Sequence, residues 1–126
     1  MNKKILIIDD DEFLLDMYSL KFREAGFQVE VGRSGEEALN LVRQGLKPEV
    51  VLLDIVMPTI DGFEFLRLVK KENLLQGALV VILSNLGQRE DIEKGLALGA
   101  NDYIVKAHST PSEVLRKIET LLEKKA

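Results

Sequence analysis

Asp9, Asp10 and Asp11 stand side by side directly behind the apolar run Ile5-Leu6-Ile7-Ile8. Two like unit charges about 4 Å apart repel by roughly 4 kcal/mol at an effective dielectric of about 20. Such side chains either diverge into water or share a cation. Three more residues with reactive or charged ends follow apolar runs in the same way: Asp54 after "EVVLL", Ser84 at the end of "LVVILS", and Lys106 at the end of "DYIVK". Singly, each has an ordinary structural reading. An Asp behind a strand caps the next helix, a Ser closes a turn, and a Lys at a strand end carries its ammonium out to water. Asp11 is expected to be only a helix cap. The others gain a shared chemistry only if the fold delivers them to one place.

The elements that would do so are legible in the periodicity. "KKILIID" reads as a buried strand, and "EFLLDMYSLKFREAG" as a helix with Phe13, Leu14, Met17, Tyr18 and Phe22 on or near one face, closed by Gly26. "FQVEV" alternates like a half-exposed strand. "SGEEALNLVRQG" opens with Ser34 and Glu37 at capping-box spacing and closes at Gly45. "EVVLLD" is a second continuous apolar strand, and "DGFEFLRLVKKE" a helix in which Asp61 and Glu64 repeat the capping spacing. "LVVILS", the weak helix "REDIEKGLALG" with Gly95 inside it, and "DYIVK" follow. "TPSEVLRKIETLLEKK" has Thr110 as cap, Pro111 in the first turn and lysines in the last.

Strands alternating with helices imply a parallel sheet covered on both faces. The apolar first, third and fourth strands belong inside it, and the shorter or alternating second and fifth at its edges. Right-handed crossovers then favour a five-stranded α/β sheet of order 2-1-3-4-5, doubly wound (flavodoxin-like), with five helices. Ligands of such folds bind outside the carboxyl ends of the strands. Asp9, Asp10, Asp54, Ser84 and Lys106 all sit at those ends. Clustered carboxylates with room for water suit Mg²⁺. A metal-bound carboxylate facing an ammonium and a hydroxyl is a phosphoryl acceptor site, with Asp54 attacking in line.

Composition narrows the alternatives. The chain has 126 residues, enough for one domain with its own core, and 46% apolar against 30% charged residues is the balance of a globule. It has no cysteine, which excludes thiolate catalysis, disulfides and zinc–cysteine sites and fits a reducing, cytoplasmic setting. No apolar stretch approaches the ~20 residues that span a bilayer, and acids interrupt "MNKKILIIDDD" too early for a secretory segment. With a net charge of −4 and dispersed Lys and Arg, nucleic acid is not an expected direct partner. His108, the lone histidine, reads as a solvated loop residue, and "GRSG" at residues 32–35 as a helix cap rather than a dinucleotide motif.

The blocks "ILIIDDD", "VVLLDIVMPTIDGFEFL", "VVILSN" and "GANDYIVK" resemble, over essentially the whole chain, the receiver domain of two-component response regulators. The resemblance implies a phosphoacceptor domain over residues 1–126, with Asp54 as the phosphorylated residue. It makes Asp10 a direct Mg²⁺ ligand, has Asp9 reach the metal through water, and assigns the backbone carbonyl of Val56 to the same ion. It makes Ser84 the switch hydroxyl, Lys106 the phosphate-contacting lysine, and Tyr103 the aromatic that moves inward on activation. Two departures stand out: Ala107 follows Lys106 where the family usually has proline, and Asn85 occupies a position where small residues are common.

The expected function is therefore a signalling switch, not an enzyme beyond its own phosphorylation and dephosphorylation. The implied partners are a sensor histidine kinase or histidine phosphotransfer protein and a downstream protein target. Two other readings share the residues. An aspartyl-phosphate phosphatase also uses Asp and Mg²⁺, but it generally carries a second acid two residues beyond its nucleophile, where this chain has Val56. A non-phosphorylated interaction module on the same fold would have no need of Asp54 and Lys106. No output domain is recognisable within the sequence, so the expected output is direct contact with a partner or a part elsewhere in a longer protein.

Overall fold

The computed structural model describes residues 3–125; Met1, Asn2 and Ala126, the ends of the expected domain span, lie outside the described residues. The chain runs β1 (Lys4–Ile8), α1 (Glu12–Glu24), β2 (Gln28–Gly32), α2 (Gly35–Arg43), β3 (Val50–Leu53), α3 (Gly62–Lys71), β4 (Leu79–Ser84), α4 (Arg89–Ala97), β5 (Asp102–Val105) and α5 (Pro111–Lys125). All neighbouring strands pair in parallel, in the order β2-β1-β3-β4-β5. This is the expected doubly wound arrangement. β3 and β4 are buried at every residue, whereas β2 is exposed at one end and β5 half-buried at both, as edge strands should be.

Side-chain alternation divides the core into two layers. Leu6, Ile8, Val51, Leu53, Val80 and Ile82 meet α2 and α3 on one face, with α4 packed beside them. Ile5, Ile7, Val50, Leu52, Val81 and Leu83 meet α1 and α5 on the other. Fully burying one such side chain contributes about 1.5–3 kcal/mol, so two filled layers hold the strand ends in fixed register. Ile8 pairs with Leu53 and Leu53 with Ile82, which brings Asp9, Asp54 and Leu83 abreast one step later.

Helix ends follow the local chemistry read from the sequence. Asp11 accepts hydrogen bonds from the N–H groups of Phe13 and Leu14, Ser34 from Glu37, and Asp61 from Glu64. Thr110 and Glu113 cap α5 reciprocally. Gly26 and Gly45 take left-handed conformations, φ +94° and +110°, just past α1 and α2.

The phase of α1 differs from the expected one. Its buried residues are Leu15, Tyr18, Ser19 and Phe22, while Phe13 is 73% exposed and Leu14 and Met17 are only half-buried. The run "EFLLDM" offers three large apolar residues in succession, and the i, i+3, i+4, i+7 face that covers the sheet begins at Leu15. The β5 strand also stops one residue earlier than "DYIVK" suggests. Lys106 opens a single 3₁₀ turn, Lys106–His108, and no cis peptide occurs among the described residues.

Candidate functional site

The strand ends converge on one rim. β1 ends before Asp9 and Asp10, β3 before Asp54, β4 at Ser84, and the turn after β5 supplies Lys106. Asp9 and Asp54 are buried to 6% exposure, Ser84 completely, and Asp10 is exposed. Backbone hydrogen bonds fix the acids: the Asp9 N–H donates to the Gly32 carbonyl at 3.1 Å, and the Asp54 N–H to the Ile8 carbonyl at 2.9 Å. Gly62, at the start of α3, presses against this strand end; a Cβ there would lie 2.4 Å from the Asp54 carbonyl oxygen. Any larger residue would push α3 off the strand that presents Asp54.

Lys106 ties the acids together. Its Nζ lies 2.8 Å from an Asp9 oxygen and 3.4 Å from an Asp54 oxygen, with little of the side chain exposed. Burial works against the ammonium, but the two carboxylates outweigh it and raise the Lys106 pKa. The Asp54 carboxyl is also raised, chiefly by burial and next by the Asp9 charge; Lys106, the Ile55 N–H and the Ser84 hydroxyl pull it back only in part. Both partners of one ion pair shift upward because the ammonium is bonded primarily to Asp9. Asp54 bears the burial and the like charge with the longer of the two contacts.

Asp9, Asp10 and Asp54 each bring a carboxylate oxygen within 4.8 Å of the others. An all-oxygen donor set, part buried and part open to water, fits a hard divalent cation such as Mg²⁺. Asp11 stands apart from the cluster as a helix cap, although its N–H donates to Asp9 Oδ1 at 3.0 Å.

Ser84 and Tyr103 approach from the α3–α4 side. The Ser84 hydroxyl accepts from the Leu86 N–H at 3.3 Å, and the Tyr103 hydroxyl donates to the Leu86 carbonyl at 2.6 Å. Tyr103 is 8% exposed, so its ring lies inward, against Gly95 of α4. Val56, two residues beyond Asp54, is 60% exposed, whereas Leu86 is half-buried against the core. Asn85 and His108 are exposed, as a rim residue and a loop residue respectively. Two features escaped the sequence reading: the Lys106–Asp9 bond, and Tyr18 of α1, which lies beneath the acids. Residues far apart in sequence make both, and only the helical phase starting at Leu15 hints at the second.

Residues 5–119 match the family model described as the response regulator receiver domain. The alkaline phosphatase synthesis transcriptional regulatory protein PhoP of Bacillus subtilis is 32% identical over 98% of this chain and 50% of its own length. The DNA-binding response regulator MtrA of Mycobacterium tuberculosis is 33% identical over 98% of this chain and 52% of its own. The chain thus spans about half the length of these relatives. Among solved structures, a CheY-like response regulator receiver domain protein from Methanospirillum hungatei superposes with a TM-score of 0.89 at 28% identity, covering 99% of this chain and 97% of that one. The receiver domain of a Francisella response regulator does so with 0.88 at 31% identity, covering 99% and 100%.

Proposed function

The chain belongs to the response regulator receiver domain family, and on that premise we propose that residues 1–126 form a phosphoacceptor domain in which Asp54 takes a phosphoryl group from a partner phosphohistidine. The observation that carries this reading is the meeting of Asp54 with Asp9, Asp10 and Lys106 at one rim, the ammonium 2.8 Å from Asp9 and 3.4 Å from Asp54.

Asp9, Asp10, Asp54 and the Val56 carbonyl would hold Mg²⁺, with Asp9 acting through water. When bound, the ion supplies positive charge to the phosphoryl oxygens and offsets the repulsion among the acids. The chain's own residues do the rest. An Asp54 carboxylate oxygen attacks phosphorus as the phosphorus–nitrogen bond to the donor histidine breaks, and the histidine nitrogen keeps the bonding pair. The Lys106 ammonium stays charged because two carboxylates surround it, and it pairs with a phosphoryl oxygen. Ser84 turns its hydroxyl toward another oxygen, which alters its contact with the Leu86 backbone and, through Leu86, with Tyr103. The new dianion thereby reaches the surface made by α4, β5 and α5.

The donor in this reading is a sensor histidine kinase or a histidine phosphotransfer protein, and the output is contact with a downstream protein. The domain performs no chemistry beyond gaining and losing its own phosphoryl group. Nucleic acid is not proposed as its direct partner, in keeping with the net charge of −4, and it acts in the cytoplasm. Among the described residues no helix is long and apolar enough to cross a membrane.

The test is incubation with a small acyl phosphate and Mg²⁺. One base-labile phosphoryl group should appear, and Asp54→Ala should abolish it. A label that maps to Ser84 or His108 would overturn the assignment.

A further inference from the structure

The segment Gly32-Arg33-Ser34-Gly35, which reads in the sequence as no more than a helix cap, touches both loops that carry the acid site. At one end the Gly32 carbonyl accepts from the Asp9 N–H at 3.1 Å. At the other end Gly35, the first residue of α2, lies against Ile60 in the loop between β3 and α3. A Cβ on Gly35 would run into the Ile60 carbonyl oxygen and fall 2.9 Å from Ile60 Cβ and Cγ2. Two backbones meet here with no room for a side chain between them. The turn itself is stiff. Ser34 Oγ accepts from the Glu37 N–H at 3.0 Å, and Glu37 Oε1 accepts in return from the Arg33 N–H at 3.2 Å.

The β3–α3 loop is short and held at three points. The Gly62 N–H closes its neck on the Ile55 carbonyl at 2.9 Å, Met57 is buried in the core, and Ile60 seats on Gly35. Between the last two, Thr59 has φ +67°. A β-branched residue rarely takes left-handed backbone, and it persists there only where its surroundings hold it. A push at Ile60 therefore has one way to travel. Toward α3, Gly62 already presses on Asp54 and Ile55 with no room for a Cβ. In the other direction lie the exposed Thr59 and Pro58, then Met57 and Val56.

We propose that Gly35 is a positioning residue of the metal site: its bare backbone seats Ile60, fixes the β3–α3 loop, and so sets the place of the Val56 carbonyl relative to Asp9, Asp10 and Asp54. Gly35 touches neither cation nor phosphorus. The same short segment holds Asp9 through the Gly32 carbonyl, so one turn spaces the two loops that supply the ligands. The inference rests on the reading of the acids and the Val56 carbonyl as a Mg²⁺ site.

The test is Mg²⁺ affinity measured by calorimetry on the full chain, with melting temperature in EDTA beside it. Gly35→Ala should weaken Mg²⁺ binding about tenfold, the lower end for residues that orient metal ligands from outside, and should lower the melting temperature. Gly45→Ala is the comparison. Gly45 follows α2 at φ +110°, and a Cβ there meets nothing within 4 Å among the described residues beyond its chain neighbours. That variant strains the backbone without touching the loop, so its melting temperature should fall while its Mg²⁺ affinity stays that of wild type. Ile60→Ala removes the seated side chain without a clash and should weaken binding by about three- to tenfold. Unchanged affinity in Gly35→Ala overturns the proposal, as does an equal loss in Gly45→Ala, which would tie affinity to stability alone. Should Gly35→Ala fail to fold, Ile60→Ala decides, and wild-type affinity in it overturns the proposal. Absence of Mg²⁺ binding by the wild-type chain would defeat the metal-site reading and this one together, whereas wild-type binding with indifferent variants defeats only the role of Gly35.

Discussion

The Lys106 ammonium is bonded to Asp9 at 2.8 Å and lies 3.4 Å from Asp54, so the lysine bridges two buried acids and is closer to the one that is not the proposed acceptor. Without a divalent ion, Lys106 is the cation that offsets their repulsion. Lys106→Met should therefore lower stability in EDTA by about 1–3 kcal/mol, the range for stranding a buried polar group. Mg²⁺ should then raise the melting temperature of the variant by more than it raises that of the wild type, because the ion takes over the lost compensation. Equal increments in the two proteins would show that Lys106 does not serve as the resident counter-charge.

Asp54 costs the fold stability at neutral pH. Its folded-state pKa is raised, by burial first and Asp9 second. The folded protein therefore keeps this proton to a higher pH than the unfolded chain does. The stability involved is fully present below the unfolded value near ~3.9 and declines as pH rises through the higher folded one. Asp54→Asn removes the decline. In EDTA at pH 7 the variant should melt roughly 2–5 °C above wild type, and the gap should close on acidification below pH ~4. Thermal melts across this range decide it, and a variant no more stable than wild type at neutral pH would contradict the raised pKa.

Gly95 sets helix propensity against packing. Replacing a mid-helix Gly with Ala is worth about 1 kcal/mol in propensity. A Cβ at this position, however, would come within 2.5 Å of Ile82 Cδ1 and 3.2 Å of the Tyr103 ring. Ile82 is completely buried, and overpacking a filled core costs about 1–3 kcal/mol. Packing should win, and Gly95→Ala should destabilise the protein by about 1 kcal/mol in urea denaturation. A stabilised variant would mean that α4 moves away from the sheet at little cost.

The strands and helix caps were readable because local chemistry decides them. Ile5–Ile8, Val50–Leu53 and Leu79–Ser84 are apolar runs, and Asp11, Ser34, Asp61 and Thr110 each bond within four residues of themselves. The rim was readable for a related reason, since the sheet order follows from which strands are apolar throughout. The phase of α1 was not. Phe13, Leu14 and Leu15 are similar in hydropathy, and only the sheet beneath chooses Leu15. Nor was the reason for Gly95, which reads as a weakness in α4 until Ile82 and Tyr103 are seen against it. Partners made across the sheet, such as Lys106 with Asp9, leave no trace in spacing.

The α4 helix should be the least protected of the five. Gly95 is its only buried residue, and Ile92 is only half-buried beside the core. Its hold on the body comes from Lys94, whose Nζ lies 4.5 Å from the centre of the Phe63 ring, and from the contact of Gly95 with Tyr103. Few buried apolar contacts mean a low free energy of local opening. Hydrogen exchange should find residues 89–97 exchanging fastest among the helices before phosphorylation and more slowly afterwards. Equal protection in the two states would remove α4 from the response.

The lifetime of the phosphoryl group should depend on Val56 more than on its companion at position 86. An aspartyl phosphate is lost when water attacks phosphorus on the side away from Asp54, and polar side chains beside that approach can orient the water. Val56 follows Asp54 by two residues, is 60% exposed and offers no hydrogen bond. Leu86 is also apolar, but it is half-buried against the core, and its backbone is engaged by Ser84 and Tyr103. Asn85, between Ser84 and Leu86, is exposed. Self-dephosphorylation should therefore be slow, suited to a sustained response or a relay. Val56→Asn should speed the decay by up to about tenfold, the equivalent of one hydrogen bond to the attacking water. Leu86→Glu should add less and should also lower stability, since it places a carboxylate where the core has an apolar neighbour. The measurement is loss of the phosphoryl label over time in Mg²⁺ buffer for wild type, both single variants and the double variant. A double variant that decays no faster than wild type would show that water access beside these two positions does not set the lifetime.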